Sequence, residues 1–400
     1  MLSAASILHP FPEGHDLRRI AIFCDGTWNA SDAAFRTNVW HLYDAVLQGQ
    51  HDGAETVARY FPGIGTGKKG DWLADKIDQY GGGAFGWGLL GKIEKAYRWL
   101  AEAYRPGDAI YIFGFSRGAY TARSLGGLIR SAGIPDAANR HRIGDAIARD
   151  RTRTDSDTDP THPRSDEQAA FRWSFSPETV TGREEADWRA RTGKPPGVRI
   201  DIAYLGIWDT VGALGVPGVL GTIARPFNAK YLFHDTELSS LVAAGRHALA
   251  TDEARPFYPP TLWTNVDDLN RGKPARPYRQ EWFPGDHGIV GGSGAERGVS
   301  NYALDWIAEG ARDAGLGFDA GKIDGFRAAR RFGGALSNGR RRLLRSARTA
   351  APEDQDVADC TLHRLAFGGE DGSRYDPGTL WPLRPRFAGR LPTGRQTAFT

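Results

Sequence analysis

Apolar residues fall in short, dense runs separated by turn residues, and the runs alternate between two periods. Arg19-Ile-Ala-Ile-Phe-Cys24 is nearly continuous and stops at Asp25-Gly26-Thr27. An unalternated run of this kind suits a strand covered on both faces in a parallel sheet. Residues 35–48 space Val39, Leu42, Tyr43 and Val46 at helical intervals. A second strand runs from Glu55 to Phe61 and breaks at Pro62-Gly63, and residues 89–104 form an amphipathic helix closed by Pro106-Gly107. Asp108 to Phe113 is another buried strand, followed by a helix from Gly118 to Ser131 with Ala119, Ala122, Leu125 and Ile129 on one face. This rhythm predicts an α/β fold, a parallel sheet wound with helices.

From about Asp136 to Gly197 the periodicity dissolves. Residues 150–168 are charged and nearly free of aliphatics, which predicts a surface excursion or part of a cap. The strand pattern resumes from Val198 to Ile207 and ends at Trp208-Asp209. A helix around 236–250, a last strand at Tyr278–Phe283 and a helix around 299–313 complete the expected core. The chain therefore divides into a first core part (18–135), a charged insertion (136–197), a second core part (198–313) and an Arg/Gly-rich extension (314–400). The basic run Arg340–Arg345 in that extension reads as a solvated helix face rather than a headgroup contact.

Composition narrows the chemistry. Among 400 residues, 51 Lys and Arg face 48 Asp and Glu, so no charge surplus predicts a nucleic-acid partner. Two cysteines, Cys24 and Cys360, make neither a disulfide framework nor a paired metal site. No HExxH or EF-hand spacing occurs, so neither a metal nor another cofactor is expected. The N-terminal apolar stretch is short, interrupted by Pro10 and lacks a basic region before it, so no secretory signal is expected. No run approaches the roughly 18 apolar residues of a spanning helix. The default expectation is a cytoplasmic protein, with export lacking a cleaved signal and peripheral membrane contact both open.

The sharpest local feature is Gly114-Phe115-Ser116-Arg117-Gly118. The bare GxSxG pattern is cheap in a chain with 51 glycines, but here a buried strand precedes it and a small-residue helix follows, the setting of a nucleophile elbow. A serine nucleophile needs a base and a residue to orient the base, in chain order Ser…Asp/Glu…His for this kind of site. Asp209, directly after a strand, fits the acid, with Asp252 and Asp286 as rivals. His287, in Phe283-Pro-Gly-Asp-His-Gly-Ile-Val-Gly-Gly292, fits the base, with His247 as rival. Oxyanion donors are expected from the backbone of Arg117 and of Gly26 or Thr27. Asp25 either holds that early loop or caps the next helix. Two other glycine motifs fail: Gly65-Thr-Gly-Lys-Lys-Gly70 leads into Gly81-Gly82-Gly83 without a second strand bearing an acid, and Lys69 stands where a P-loop needs Ser or Thr. The apolar GGGAFGWGLLG segment reads equally as a lid, an acyl-pocket wall or a packed loop.

Taken together, IAIFCDGTWN, YFPGIGTG, RPGDAIYIFGFSRGAYTAR, GIWDTVGALG, RHALATDEARPF and EWFPGDHGIVGG resemble, in this order, one family. It is the uncharacterised α/β-hydrolase family that includes type VI secretion lipase effectors. The resemblance spans roughly 18–310 and implies an α/β-hydrolase fold, a Ser-His-Asp triad of Ser116, His287 and Asp209, and lipase or phospholipase activity in effector members. This chain has Gly288-Ile289 where the family motif has Ser-Asp. A large appended membrane-binding domain, as in toxin-type effectors, is not expected. The expected function is a serine hydrolase of carboxylic esters acting on a lipid or phospholipid; the alternatives are a soluble esterase or depolymerase, and a non-catalytic binding member of the fold.

Overall fold

The computed structural model describes residues 17–26, 34–63, 82–154, 156, 158–212, 237–255, 258–337 and 348–393. Thr27, the stretch 65–70 and the Arg340–Arg345 run lie outside the described residues.

Dense apolar runs become the centre of an eight-stranded sheet. Its strands are β1 (Leu17–Cys24), β2 (Gly49–His51), β3 (Ala54–Phe61), β4 (Ala109–Phe115), β7 (Asp201–Trp208), β8 (Gly245–Ala250), β9 (Tyr278–Phe283) and β10 (Asp356–Val357), in the order β10-β9-β8-β7-β4-β1-β3-β2. All neighbours pair in parallel except β2, a short antiparallel edge strand. Successive residues of β1 feed opposite cores, Ile20, Ile22 and Cys24 on one face and Ala21 and Phe23 on the other. β4 does the same with Ile110 and Ile112 against Tyr111, Phe113 and Phe115. Burial on both faces is why neither strand alternates in sequence.

Helices cover both faces. α1 (Asn38–Ala45) packs on the Phe23 face, its N-cap being Thr37, whose hydroxyl accepts from the Trp40 amide. α2 (Gly82–Ala103) and α3 (Arg117–Ala132) share the Ile22 face. The segment expected as an apolar loop thus enters α2 from Gly82 onward, recruited by the periodic run that follows it. Between β1 and β4 the strand order reverses: from β1 the chain steps to β3 on one side, then to β4 on the other. A crevice outside the C-terminal strand ends is the usual consequence of such a reversal.

The segment 236–250 is not the expected helix. Gly245–Ala250 forms β8, every residue of it buried, between β7 and β9. Its Ala and Leu favour a helix in isolation, but a fully covered slot in the sheet overrides propensity.

Residues 136–197 also hold more structure than their pattern predicts: α4 (Ile143–Thr152), α5 (Asp166–Phe175), α6 (Arg183–Arg191) and strand β5 (Thr179–Val180). β5 pairs with β6 (Val198–Arg199) in a separate two-stranded sheet, so the strand expected from Val198 enters the main sheet only at Asp201. Glu185 of α6 ties that helix to α5, paired with Arg172 at 2.7 Å and with Arg189 at 2.7 Å, all three side chains no more than 2% exposed. Gln168 and Arg172 bond the Ser131 carbonyl and Ser176 bonds Ile134, so the segment is anchored at the C-terminal end of α3. The segment folds on two kinds of contact: this buried ion network, and Ile143, Ala146 and Phe175, which join the core on the Ile22 face with Ile147 and Phe171 packed against them. The C-terminal segment closes the other side: Ala350, Val357, Leu362, Leu380, Leu383 and Phe387 bury Leu249 and Trp282 in a third apolar cluster. Among the described residues no helix is long and apolar enough to cross a membrane.

Replacing Glu185 by Gln leaves two buried guanidinium groups without a counter-ion, so Glu185→Gln should cost about 3–5 kcal/mol. Urea unfolding followed by circular dichroism checks this; a loss below about 1 kcal/mol would show that the network contributes little.

Candidate active site

Strand register delivers the site. Phe115 of β4 lies opposite Trp208 of β7, so Ser116 and Asp209, the next residues of each strand, emerge side by side. Both leave their strands with positive φ, 57° at Ser116 and 37° at Asp209, a backbone conformation that costs energy for any residue but glycine. Ser116 is the N-cap of α3, yet its hydroxyl makes no capping bond. The strand and α3 approach each other so closely that a Cβ at Gly114 would lie 2.6 Å from the Gly118 carbonyl carbon. One at Gly118 would lie 2.6 Å from that of Asp25. The two glycines of the motif therefore let α3 start directly against the end of β1.

His287 arrives from β9. It begins the short helix α7 (His287–Gly291), capped by Asp286, whose carboxylate accepts from the Ile289 amide at 2.9 Å. Its Nδ1–H donates to Asp209 Oδ2 at 2.6 Å, because a carboxylate can only accept. Nε2 is then the acceptor for the Ser116 hydroxyl at 2.8 Å. The ring is held between Phe115 (centroids 4.6 Å apart) and Tyr258 (5.1 Å), and its backbone N–H donates to Glu253. Gly288 and Ile289 put no polar side chain beside the ring; Ile289 is buried, packed against Gly285.

Asp209 has no exposed surface. Burial alone would raise its carboxyl, but the Arg348 guanidinium and the hydrogen bonds from His287 and Arg348 outweigh that and hold it well below the usual carboxylate range. Oδ1 also accepts from the Ala250 amide at 2.9 Å.

The rival residues are engaged elsewhere. Asp252 accepts from the Gly285 amide (2.6 Å) and from the Tyr375 hydroxyl (2.8 Å), and burial raises its carboxyl. Asp286 caps α7 and accepts from Ser337. His247 lies in β8 with its ring fully buried. Its Nδ1–H donates to Gln280 Oε1 (2.9 Å) and its Nε2 accepts from the Thr210 amide (3.3 Å). Gln280 is itself fixed by the Trp263 amide and carbonyl.

Asp25, directly after β1, is held by several partners. Asp25 accepts from Thr37 (2.6 Å), from Tyr60 (2.6 Å) and from the Gly26 amide (2.6 Å), while buried Lys92 donates to its backbone carbonyl. Burial raises the Asp25 carboxyl to about 6, with these partners and Lys92 pulling the other way. The Gly26 N–H expected as an oxyanion donor is thus already given to Asp25. Lys92 and Tyr60 were not singled out from the sequence. Lys92 did leave a signal: a lone cation on the apolar stripe Leu89, Ile93, Ala96, Tyr97, Leu100.

The model of the family described as "T6SS, Phospholipase effector Tle1-like, catalytic domain" matches residues 18–310. The chain belongs to this family. An uncharacterized protein of Saccharomyces cerevisiae is 25% identical over 257 residues, covering 62% of this chain and 33% of its own length. Two solved structures are similar at 17% identity. One is an uncharacterized protein from Pseudomonas aeruginosa (TM-score 0.37; 78% of this chain, 48% of that one). The other is the Tle1 effector bound to the VgrG spike of the Type 6 secretion system (TM-score 0.35; 72% and 53%). The chain spans about a third to a half of the length of these relatives. Within the Tle1-like match fall Ser116, Asp209, His287, Asp25 and Lys92; Arg348 lies beyond it.

Burial lowers the His247 imidazole to about 3. Its folded-state value lies below the unfolded one near 6.5, so between the two the unfolded chain binds the extra proton and stability is lost as the pH is lowered through that window. The urea midpoint of the wild type should therefore drop more between pH 6.5 and pH 4 than that of His247→Gln; equal drops would place the ring in water.

Proposed function

We propose that this chain is a serine hydrolase that cleaves a carboxylic ester of a phospholipid, built on an α/β-hydrolase fold. The observation that carries the proposal is the unbroken hydrogen-bonded line from Ser116 through His287 to Asp209, at adjacent C-terminal strand ends. The strand–Ser116–helix turn and the Ser…Asp…His chain order support the fold assignment. The phospholipid follows from the family's description as a phospholipase effector. Action outside the producing cell, after type VI secretion, is the matching proposal for where it works.

In this reading Ser116 Oγ attacks the acyl carbonyl while its proton passes to His287 Nε2. Asp209 keeps the imidazole in the tautomer that accepts this proton and stabilises the imidazolium. The oxyanion is met by the Arg117 N–H in the first turn of α3, where helix amides point outward and the helix dipole favours negative charge. His287 then returns the proton to the leaving alcohol oxygen. Water repeats the sequence on the acyl-enzyme, releasing the fatty acid and restoring Ser116.

Wild type should react with a fluorophosphonate probe and release fatty acid from phospholipid vesicles, and Ser116→Ala should lose both. Asp209→Asn should lower kcat by about 10⁴-fold, because the wrong histidine tautomer results. A folded wild type without Ser116-dependent labelling would overturn the enzyme reading in favour of a binding protein. Turnover of short soluble esters with none on vesicles would replace the phospholipid by a soluble ester.

A further inference from the structure

The buried carboxylate of Asp209 has a second partner that no family motif contains. Arg348, in the C-terminal segment, reaches across the edge of the site and grips the carboxylate with both terminal nitrogens. Nη1 donates to Oδ1 at 2.6 Å and Nη2 to Oδ2 at 3.0 Å. The same two nitrogens donate to the Ala250 carbonyl (3.0 Å) and the Tyr258 carbonyl (2.6 Å). Ala250 is the residue whose amide also bonds Asp209, and Tyr258 carries the ring that packs edge-on against His287. The Arg348 side chain is 4% exposed, and its guanidinium joins three components of the site at one point.

We propose that Arg348 is a positioning residue for acyl transfer, fixing the plane of the Asp209 carboxylate and thereby the His287 ring. The proposal rests on the Ser116–His287–Asp209 reading above. A planar fork bonding both carboxylate oxygens leaves the carboxylate no rotation, and Oδ2 is the oxygen that holds His287 Nδ1. An ammonium at this position satisfies one oxygen at a time and leaves the plane free.

The fork also sets the charge felt by the base. Several charged groups act on His287. Asp209 faces its Nδ1, and Glu253 accepts from its backbone amide and is paired with Arg255. Asp286 caps its helix, Arg348 lies behind Asp209, and the neutral His247 lies beyond in β8. Arg348 shares the negative charge of Asp209. Removing it leaves the full charge to stabilise a protonated imidazole, which cannot act as a base.

The test uses the full chain, p-nitrophenyl butyrate and the pH profiles of kcat and KM for wild type, Arg348→Gln, Arg348→Lys and Ser116→Ala. Arg348→Gln should move the acid limb of the kcat profile up by about one pH unit. It should lower the plateau about 10²-fold through misorientation, with KM unchanged. Arg348→Lys should restore the position of the acid limb while the plateau stays about tenfold down. If Arg348→Gln lacks a cooperative urea transition, Arg348→Lys alone decides: a lowered kcat at unchanged KM supports the proposal. Wild-type kcat and acid limb in the folded variants would overturn it while leaving the Ser116 reading intact. Wild-type turnover that survives in Ser116→Ala would overturn both.

Discussion

The Asp209 carboxylate has no contact with solvent, and an ion in that position is tolerable only if every lone pair it lost to burial finds a donor. Isolated burial of a carboxylate would simply neutralise it, and a neutral acid could not stabilise an imidazolium. The protein supplies a backbone amide, an imidazole N–H and a two-pronged guanidinium, drawn from β8, α7 and the C-terminal segment. Each donor is itself committed: Ala250 by its strand pairing, His287 by its aromatic neighbours, Arg348 by two carbonyls. The orientation of His287 toward Ser116 is the end result of that accounting.

Sheet geometry makes the accounting possible. Parallel strands with matching register put β4 and β7 out to the same level, and Asp209 and Ser116 take their unfavourable φ values where the strands release them. The strain is held by pairing on both sides, including the Ser116 amide to the Trp208 carbonyl and the Asp209 amide to the Ala248 carbonyl. A close-packed glycine pair then lets α3 begin within reach of the first loop. Rigidity comes from the sheet and reach comes from the turns.

Much of this was legible in the sequence, for identifiable reasons. The central strands are buried on both faces, so their apolar runs stand out, and Ser116, Asp209 and His287 each follow such a run within a few residues. The structure brings those three side chains within hydrogen-bonding distance of one another. What escaped was set by long-range burial. β8 ends in Ala-Leu-Ala, which favours a helix, and its slot between two strands makes it extended. In 136–197, α5 and α6 are tied by Glu185 and its two arginines, a pairing that leaves no apolar trace in the sequence, while Ile143, Ala146 and Phe175 reach the main core from short stretches. Arg348 is one arginine in an arginine-rich tail, and nothing local marks it. The Gly26 amide was a reasonable oxyanion donor by position, but the Asp25 side chain beside it competes for the same hydrogen.

The pairing of Asp209 with a residue 139 positions later has a bearing on how the chain comes together. A ribosome extends the chain from its N-terminus, so β1, β4 and β7 emerge long before the guanidinium that balances the acid. Without that guanidinium the carboxylate has only the Ala250 amide and the His287 ring as donors. Contacts of such sequence separation also slow folding, because the loop must close before the contact gives anything back. The fork that completes the Asp209 environment is thus the part of it that is synthesised last.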